Sequence, residues 1–497
     1  MSVLKKIFAA VFAMLTLLSA VSCADKREST VESSDTTGKP AVSSDAVTSG
    51  ETTLSAPEFP DDLTGDGCDI VIFDQGFWHY TPLDVIDVGV VEMNNEGLND
   101  AAYNRDRLTE EKFDVRIVRR TEPECYDSYN NLQVLVDSGD CDIDLCLLRT
   151  AILTQAITNN ILTDLDSGSL TYFNPDNPWW NSNSYESLSV NGTHYGVCGD
   201  FTITDDLSVW ALYFNKTMLS DLGLENPYDL VREGDWTYDK LFTMGQAASA
   251  DIDGVSGMTY EDRWGVTYIR DTVSGMINSV GVEIGQKDED DIPYMTFYTD
   301  ENVRKVQWIY EKLYNLDQCY NIHARGGDEV KIFTDGRALF TFGAIYYAPQ
   351  MRSTNTDFGI LPYPKFDENQ KNYISSTSPL SLTILCTPKN NKNNAALTGA
   401  FMEYYSYLGS EKIVPEFYDK LLTWKVARDD ESREMFNYIF DDTHTIYDIG
   451  NIFNFGDFSF WLVDMTLYSD INISSLWAKY ETKTQEAIKA MLEAIDS

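Results

Sequence analysis

The apolar residues of the chain fall into short continuous runs separated by stretches with helical spacing, and from about residue 66 onward the two kinds alternate. Asp69 to Asp74 (DIVIFD) reads as a buried strand, Leu98 to Phe113 as a helix, and Asp114 to Arg120 (DVRIVRR) as a second strand. Tyr126 to Ser138 is helical, Ile143 to Leu148 (IDLCLL) is a strand, and Ile152 to Leu165 is helical again. Alternation at these lengths predicts βαβ units and a mostly parallel sheet. A second α/β set starts at Val209 (VWALYF), followed by a helix after Asp235-Trp236-Thr237 on which Leu241, Met244 and Ala248 recur at helical spacing. Arg263 to Tyr268, Ala338 to Phe342, Phe358 to Leu361 and Leu380 to Cys386 are further strands. Val306, Ile309, Tyr310 and Leu313 share a helical face, and beyond Asn393 the pattern is almost wholly helical. The expectation is an α/β protein of two lobes with a helical C-terminal portion and no repeat of solenoid period.

The first 60 residues follow a different pattern. Lys5 and Lys6 precede an apolar stretch from Ile7 to Val21 that is shorter than the ~18 to 20 residues a spanning helix needs, so residues 1–22 read as a signal peptide. Ala20-Val21-Ser22-Cys23 resembles a bacterial lipobox, which implies lipidation at Cys23; Ala20 stands where that motif usually has Leu. Residues 23–60 have almost no apolar content, and about half of Ser29 to Ser55 is Ser or Thr, so this segment reads as a flexible tether.

Charge and composition narrow the chemistry. With 37 Lys plus Arg against 79 Asp plus Glu the formal net charge is −42, which opposes nucleic acids and anionic lipid surfaces; no nucleic-acid partner is expected, and the membrane is met through the lipid anchor alone. At 43% hydrophobic residues the chain builds a sizeable core. The seven cysteines after Cys23 have no C-x-x-C spacing and several sit in strand-like runs, so they read as buried free thiols. Neither G-x-x-x-x-G-K-[ST], G-x-G-x-x-G nor G-x-S-x-G occurs. His79, His194, His323 and His444 stand far apart without a zinc-binding spacing. The loop Asp251-Ile-Asp253-Gly254 with Glu261-Asp262 has some of the character of a calcium site, but Val255 replaces a carboxylate and the loop reads as solvated. Neither a metal nor a cofactor is expected.

Several segments, in order, resemble the carbohydrate-class extracellular solute-binding proteins of bacterial ABC importers. They are Ala101 to Phe113 (AAYNRDRLTEEKF), Asn177 to Trp180 (NPWW) with Asn191 to Gly196 (NGTHYG), Trp210 to Lys240, Phe358 to Gln370 (FGILPYPKFDENQ) and Trp424 to Phe436 (WKVARDDESREMF), together spanning most of residues 66 to 497. The resemblance implies a periplasmic-binding-protein-like fold: two lobes joined by crossing strands, with a sugar or oligosaccharide held in the cleft and passed to permease subunits. It implies a binding protein and not an enzyme; together with the lipobox and the unpaired thiols, the expectation is a monomer lipid-anchored on the extracellular face of a Gram-positive cell. The lobes are expected at 61–207 with 380–455 and at 208–379 with 456–497, with hinges near Ile203 to Tyr213 and Pro379 to Thr387. Ligands meet the carboxyl ends of strands, and a sugar needs aromatic faces and polar partners for its hydroxyls. The ligand-binding candidates are therefore Trp78, Arg149, Asp200, Tyr346, Tyr347, Ser376, Phe455 and Trp461. Trp179, Trp180 and Trp236 read as packing. Two other functions remain open from the residues alone, an anchored polysaccharide-active enzyme and a surface glycan-binding adhesin.

Overall fold

A computed structural model of the chain describes residues 54–75, 87–121, 125–351, 353–391, 393–423, 430–441, 443–468 and 471–496, with side chains left out at 125–128, 151 and 419–423. The signal peptide, Cys23, nearly all of the tether and the Trp78 loop lie outside the described residues. Two main sheets are built from β1 (Cys68–Asp74), β2 (Val115–Thr121), β3 (Leu145–Arg149), β4 (Trp210–Asn215), β5 (Trp264–Tyr268), β6 (Cys319–Asn321), β7 (Ala338–Ala344), β8 (Phe358–Leu361) and β9 (Thr383–Cys386).

The first sheet has the order β9-β3-β1-β2, with β1 parallel to both neighbours and β9 antiparallel to β3. Residues Ile70 to Phe73 of β1 are buried on both faces: Val71 and Phe73 enter one apolar core, Ile70 and Ile72 the other. This accounts for the continuous apolar run, because a central parallel strand is covered by helices on each side. The helix Gly97–Phe113 supplies one cover and the helix Thr150–Thr158 part of the other. The latter ends seven residues before the periodicity suggested, since Asn159 and Asn160 follow and Asn160 takes a positive φ of 55°.

The second sheet has the order β8-β4-β7-β5-β6; β5 is parallel to β6 and β7, while β4 runs antiparallel to β7 and β8. Strand positions match the apolar runs to within two residues, except that no run announced β6 and that the run from Leu380 begins too early. There Ser381 and Leu382 donate backbone N–H groups to Ser378 O (3.2 and 2.9 Å), forming a turn, and the strand starts only at Thr383.

The chain passes between the sheets at a narrow waist. The short helix Thr204–Ser208 leads into β4, and the return runs from Ser375 to β9. These segments are stitched together: Ser378 N donates to Ser208 O (2.8 Å), Tyr346 N to Leu207 O (3.0 Å), and Val209 bridges Thr377. Just upstream, Asp87 accepts from Thr202 Oγ1 (3.0 Å) and Ile203 N (2.9 Å), while fully buried Arg105 donates to Phe201 O (3.0 Å) and Tyr405 OH (2.8 Å).

Two boundaries differ from expectation. Phe59, placed in the tether, packs its ring 5.4 Å from that of Phe113 and 5.5 Å from that of Tyr172, because a lone aromatic in a polar segment finds an apolar surface to cover. The helix Asp430–Ile439, assigned to the first lobe, packs instead beside β8 and the helix Pro227–Glu233, with Arg232 paired to Glu431 (3.2 Å) and Glu434 (2.8 Å) and Tyr228 OH 2.7 Å from Ser432 Oγ. The last helix, Ile473–Ile495, touches both the Thr150–Thr158 helix and the Phe458–Asp464 helix.

Candidate functional site: the facing strand ends

In the second sheet the parallel strands β5, β6 and β7 deliver, just past their carboxyl ends, Arg270 with Asp271, His323, and Tyr346 with Tyr347. This is where open α/β sheets meet their ligands. The Tyr346 and Tyr347 rings stand edge to face at 5.0 Å. Tyr347 OH donates to Glu329 Oε2 (2.8 Å), and His323 Nε2 lies 3.3 Å from Glu329 Oε1. The tyrosine ring fits because residue 343 is glycine: a Cβ there would come within 2.3 Å of the Tyr347 ring. Arg270 donates through Nε to Asp271 Oδ1 (2.9 Å) and pairs through Nη1 with Asp464, its guanidinium lying 4.7 Å from the centre of the Phe460 ring. Phe460 and Asp464 are four residues apart on one helix, so they share a face and grip the same arginine.

The electrostatics of this wall follow from burial. Burial raises the Asp271 carboxyl above the usual range, offset in part by Arg270 and His323, with Glu329 adding to the rise. Burial likewise raises the phenols of Tyr346 and Tyr347, and the acids Glu329 and Asp271 push them further, so both remain neutral hydroxyls. Burial works against the charge on Arg270, but Asp271 and Asp464 outweigh it. The wall thus brings together carboxylate acceptors, neutral hydroxyls and aromatic rings, the set a polyhydroxylated ligand needs, although Tyr346 and Tyr347 are themselves buried, at 4% and 0% exposed.

On the first sheet, the carboxyl ends of β1 and β3 place Gln75 and Arg149 side by side, Arg149 N donating to Gln75 Oε1 (2.8 Å). Arg149 stands opposite Thr383 in the register, the Thr383 and Thr204 hydroxyls share a hydrogen bond, and Thr150 Oγ1 donates to Pro379 O. Tyr346 also lies near this return segment, close enough to Ser381 for that residue to lower its phenol slightly against the rise from burial. Arg149 and the tyrosine pair therefore flank the same stretch of waist from opposite lobes.

The other candidates lie elsewhere. Asp200 accepts from Ser410 Oγ, and its carbonyl sits so close to Gly409 that a Cβ on residue 409 would approach within 1.8 Å. Ser376 is buried in a two-residue strand paired with Thr445–Ile446. Phe455 is 1% exposed within the first sheet's core, 5.5 Å from Phe453. Trp461 turns to the C-terminal helix, stacking 6.2 Å from Tyr480, while its neighbour Phe460 faces Arg270. Trp78 lies outside the described residues. Sequence reasoning passed over Arg270, Asp271, His323, Glu329, Phe460 and Asp464. The first two follow a recognised strand directly and were legible there; Glu329 sits in a polar loop with no local signal.

The acidic loop is only partly solvated, contrary to its reading. Asp251, Asp253 and Asp262 hold carboxylate oxygens within 4.8 Å of one another, yet Asp262 is fully buried. It accepts N–H groups from Ile252 (2.7 Å), Asp253 (3.1 Å) and Thr259 (2.7 Å). Burial opposes its charge, but these backbone donors outweigh it and hold the carboxyl below the usual range. It closes its own loop. Among the described residues Cys68, Cys141, Cys146, Cys198, Cys319 and Cys386 are free, all but Cys68 buried, as the apolar context predicted.

Known structures share this fold. The ABC substrate-binding protein Lmo0181 from Listeria monocytogenes, in complex with cycloalternan, aligns with a TM-score of 0.56 at 14% identity, over 86% of this chain and 99% of that one. A maltose/maltodextrin-binding domain from Bdellovibrio bacteriovorus bound to maltotriose aligns at 0.52 with 13% identity, over 86% and 100%. An ABC transporter solute-binding protein from Thermotoga lettingae bound with α-D-tagatose gives the same score and identity, over 86% and 100%. These likenesses establish the two-lobed periplasmic-binding-protein-like fold. No curated protein matches by sequence. Among the described residues no helix is long and apolar enough to cross a membrane. Residues 105–412, more than half of the chain, match the family described as bacterial extracellular solute-binding protein, and to that family this protein belongs.

Proposed function

We propose that the protein captures a sugar or oligosaccharide between its lobes and delivers it to the permease subunits of an ABC importer, without chemical conversion. The observation that carries this reading is the cluster just past the carboxyl ends of the second sheet's parallel strands, where Tyr346 and Tyr347 stand edge to face and Tyr347 bonds Glu329; Arg149, at the carboxyl end of β3, is the first lobe's counterpart on this reading. Rings suit the apolar faces of a sugar, and each charge-assisted hydrogen bond to a hydroxyl contributes ~1.5 to 3 kcal/mol. The structural neighbours bound to cycloalternan, maltotriose and tagatose support the ligand class. On this reading the lobes are 57–207 with 380–423 and 208–379 with 430–439, and the C-terminal helices bridge them. Closure turns about Thr204–Ser208 and Pro379–Leu382, and the ligand favours the closed form by its differential contacts. Cys23 carries a lipid that holds the monomer on the extracellular face of a Gram-positive membrane, with residues 24 to about 56 as its tether.

A thermal-shift screen of the protein against mono- and oligosaccharides, with amino acids and peptides as controls, tests the reading. Ligand at a hundredfold excess over Kd adds about 2.7 kcal/mol of stability. A shift confined to one sugar family, with the sugar recovered intact, is the expected result. Recovery of cleaved sugar, or shifts with the controls alone, overturns it.

A further inference from the structure

At the far end of the second sheet from the waist lies an open groove of about 740 Å³. Its place is set by register: Trp210 at the start of β4 pairs with Ala344, beside the tyrosine pair, while Asn215 at the other end lines the groove. Five residues of strand at ~3.3 Å each put roughly 17 Å between the two ends. We propose that this groove is a second binding site, taking the vicinal hydroxyls of a free polyol or of a saccharide unit.

The lining carries the argument. Apart from Met218 and Leu222 it is polar, and it holds no aromatic ring, which disfavours an apolar ligand. The side chains of Thr217, Asp221, Ser353 and Asn355 have no hydrogen-bond partner among the described residues and are exposed at the groove. Hydroxyls and an amide both donate and accept, while a carboxylate accepts only, so together they complement neighbouring hydroxyls, which do both. Asp335 is paired with Lys331 (2.9 Å) and Arg337 (3.3 Å), and the other charged residues of the lining, Asp221 and Arg263, are of opposite sign, which favours an uncharged ligand. The walls are held in place before anything binds. Thr354 Oγ1 and Thr356 Oγ1 both donate to Thr334 O, at 2.8 and 2.9 Å, tying the 353–356 loop to the turn before β7. Asn215 Oδ1 accepts from Met218 N (2.9 Å), fixing the third side. A preformed site loses less freedom on binding. A volume of this size lies within the range of small-molecule sites.

Saturation-transfer NMR on the mature full-length protein tests this, with sorbitol as the free polyol and maltotriose as the saccharide, in wild type, Asn355→Trp and Asp221→Ala. The first substitution fills the groove and the second removes a rim acceptor, so a folding defect in one leaves the other to decide. A signal from either probe that falls in the folded variants, to background or to the part that the interlobe cleft contributes, supports the site, and the probe that responds names the source. No signal from either probe in wild type overturns it. A signal unchanged in both variants also overturns it, because the interlobe cleft is then its origin.

Discussion

At the scale of single residues, ligand recognition rests on how a few side chains are held. Tyr347 keeps its hydroxyl on Glu329 and its ring over Gly343, and Glu329 also meets His323. Replacing Tyr346 by Ala removes a ring and a hydroxyl from the proposed cleft and is expected to weaken sugar binding by at least about tenfold, ~1.4 kcal/mol. Glu329→Gln keeps an acceptor but loses the charge, and a loss of roughly 1 kcal/mol is expected. Isothermal titration of both variants with the sugar found by the thermal screen measures these effects; unchanged affinity in both moves the site away from this wall. The Tyr346-Tyr347 pair was legible because it directly follows a strand. The Arg270 grip was not, because Asp464 and Phe460 reach it from nearly 200 residues further along the chain.

At the scale of elements, buried polar groups decide how helices and loops dock. Glu403, on the helix Ala395–Leu408, is 1% exposed and accepts four hydrogen bonds. The donors are Asn174 N (2.8 Å), Asn177 Nδ2 (2.6 Å), Trp179 Nε1 (2.9 Å) and Trp180 Nε1 (2.8 Å). Burial raises its carboxyl, and the four donors work against that rise. The two tryptophans were read as packing, and both rings are buried in the first sheet's core, but their N–H groups also clamp a helix that comes more than 200 residues later. Glu403→Ala leaves two buried indole donors and two part-buried amide donors unmet and is expected to lower stability by about 3 kcal/mol, read as a reduced urea midpoint with circular dichroism. A midpoint within error of wild type would mean that water or a rearranged loop satisfies those donors.

At the scale of the whole molecule, buried acids tie stability to pH. Asp144 and Asp448 are each pushed up to about 6 by burial, against hydrogen bonds that favour the charged form. An unfolded Asp titrates near 3.9. Between those values the folded state keeps a proton that the unfolded chain has lost, so each group's stabilisation is full below about 4 and disappears as pH rises through 6. Each contributes roughly 3 kcal/mol across that window. The thermal midpoint is therefore expected to be higher at pH 5 than at pH 7.5, and Asp144→Asn, which keeps an acceptor for Val71 N, should flatten the difference. A midpoint that climbs steadily from pH 5 to 7.5 contradicts this account. Partial neutralisation of the −42 charge at lower pH acts in the same direction.

The sequence by itself determined the class of fold, because a buried strand must be an apolar run and a covering helix must show an apolar stripe. It also determined the order of the main elements apart from β6, the buried state of the described thiols apart from Cys68 and, through its ordered resemblances, the family. Which strand ends face one another, and across what waist, was decided by tertiary structure alone. β9 joins the first sheet after the whole second sheet has been built, and the helix Asp430–Ile439 packs beside β8, because burying each apolar face depends on surfaces assembled from distant segments. Phe455 and Tyr346 are alike in local pattern and both are buried, but one is enclosed by apolar core and the other stands past a strand end near Asp271 and Glu329, a difference that exists only once the chain has folded.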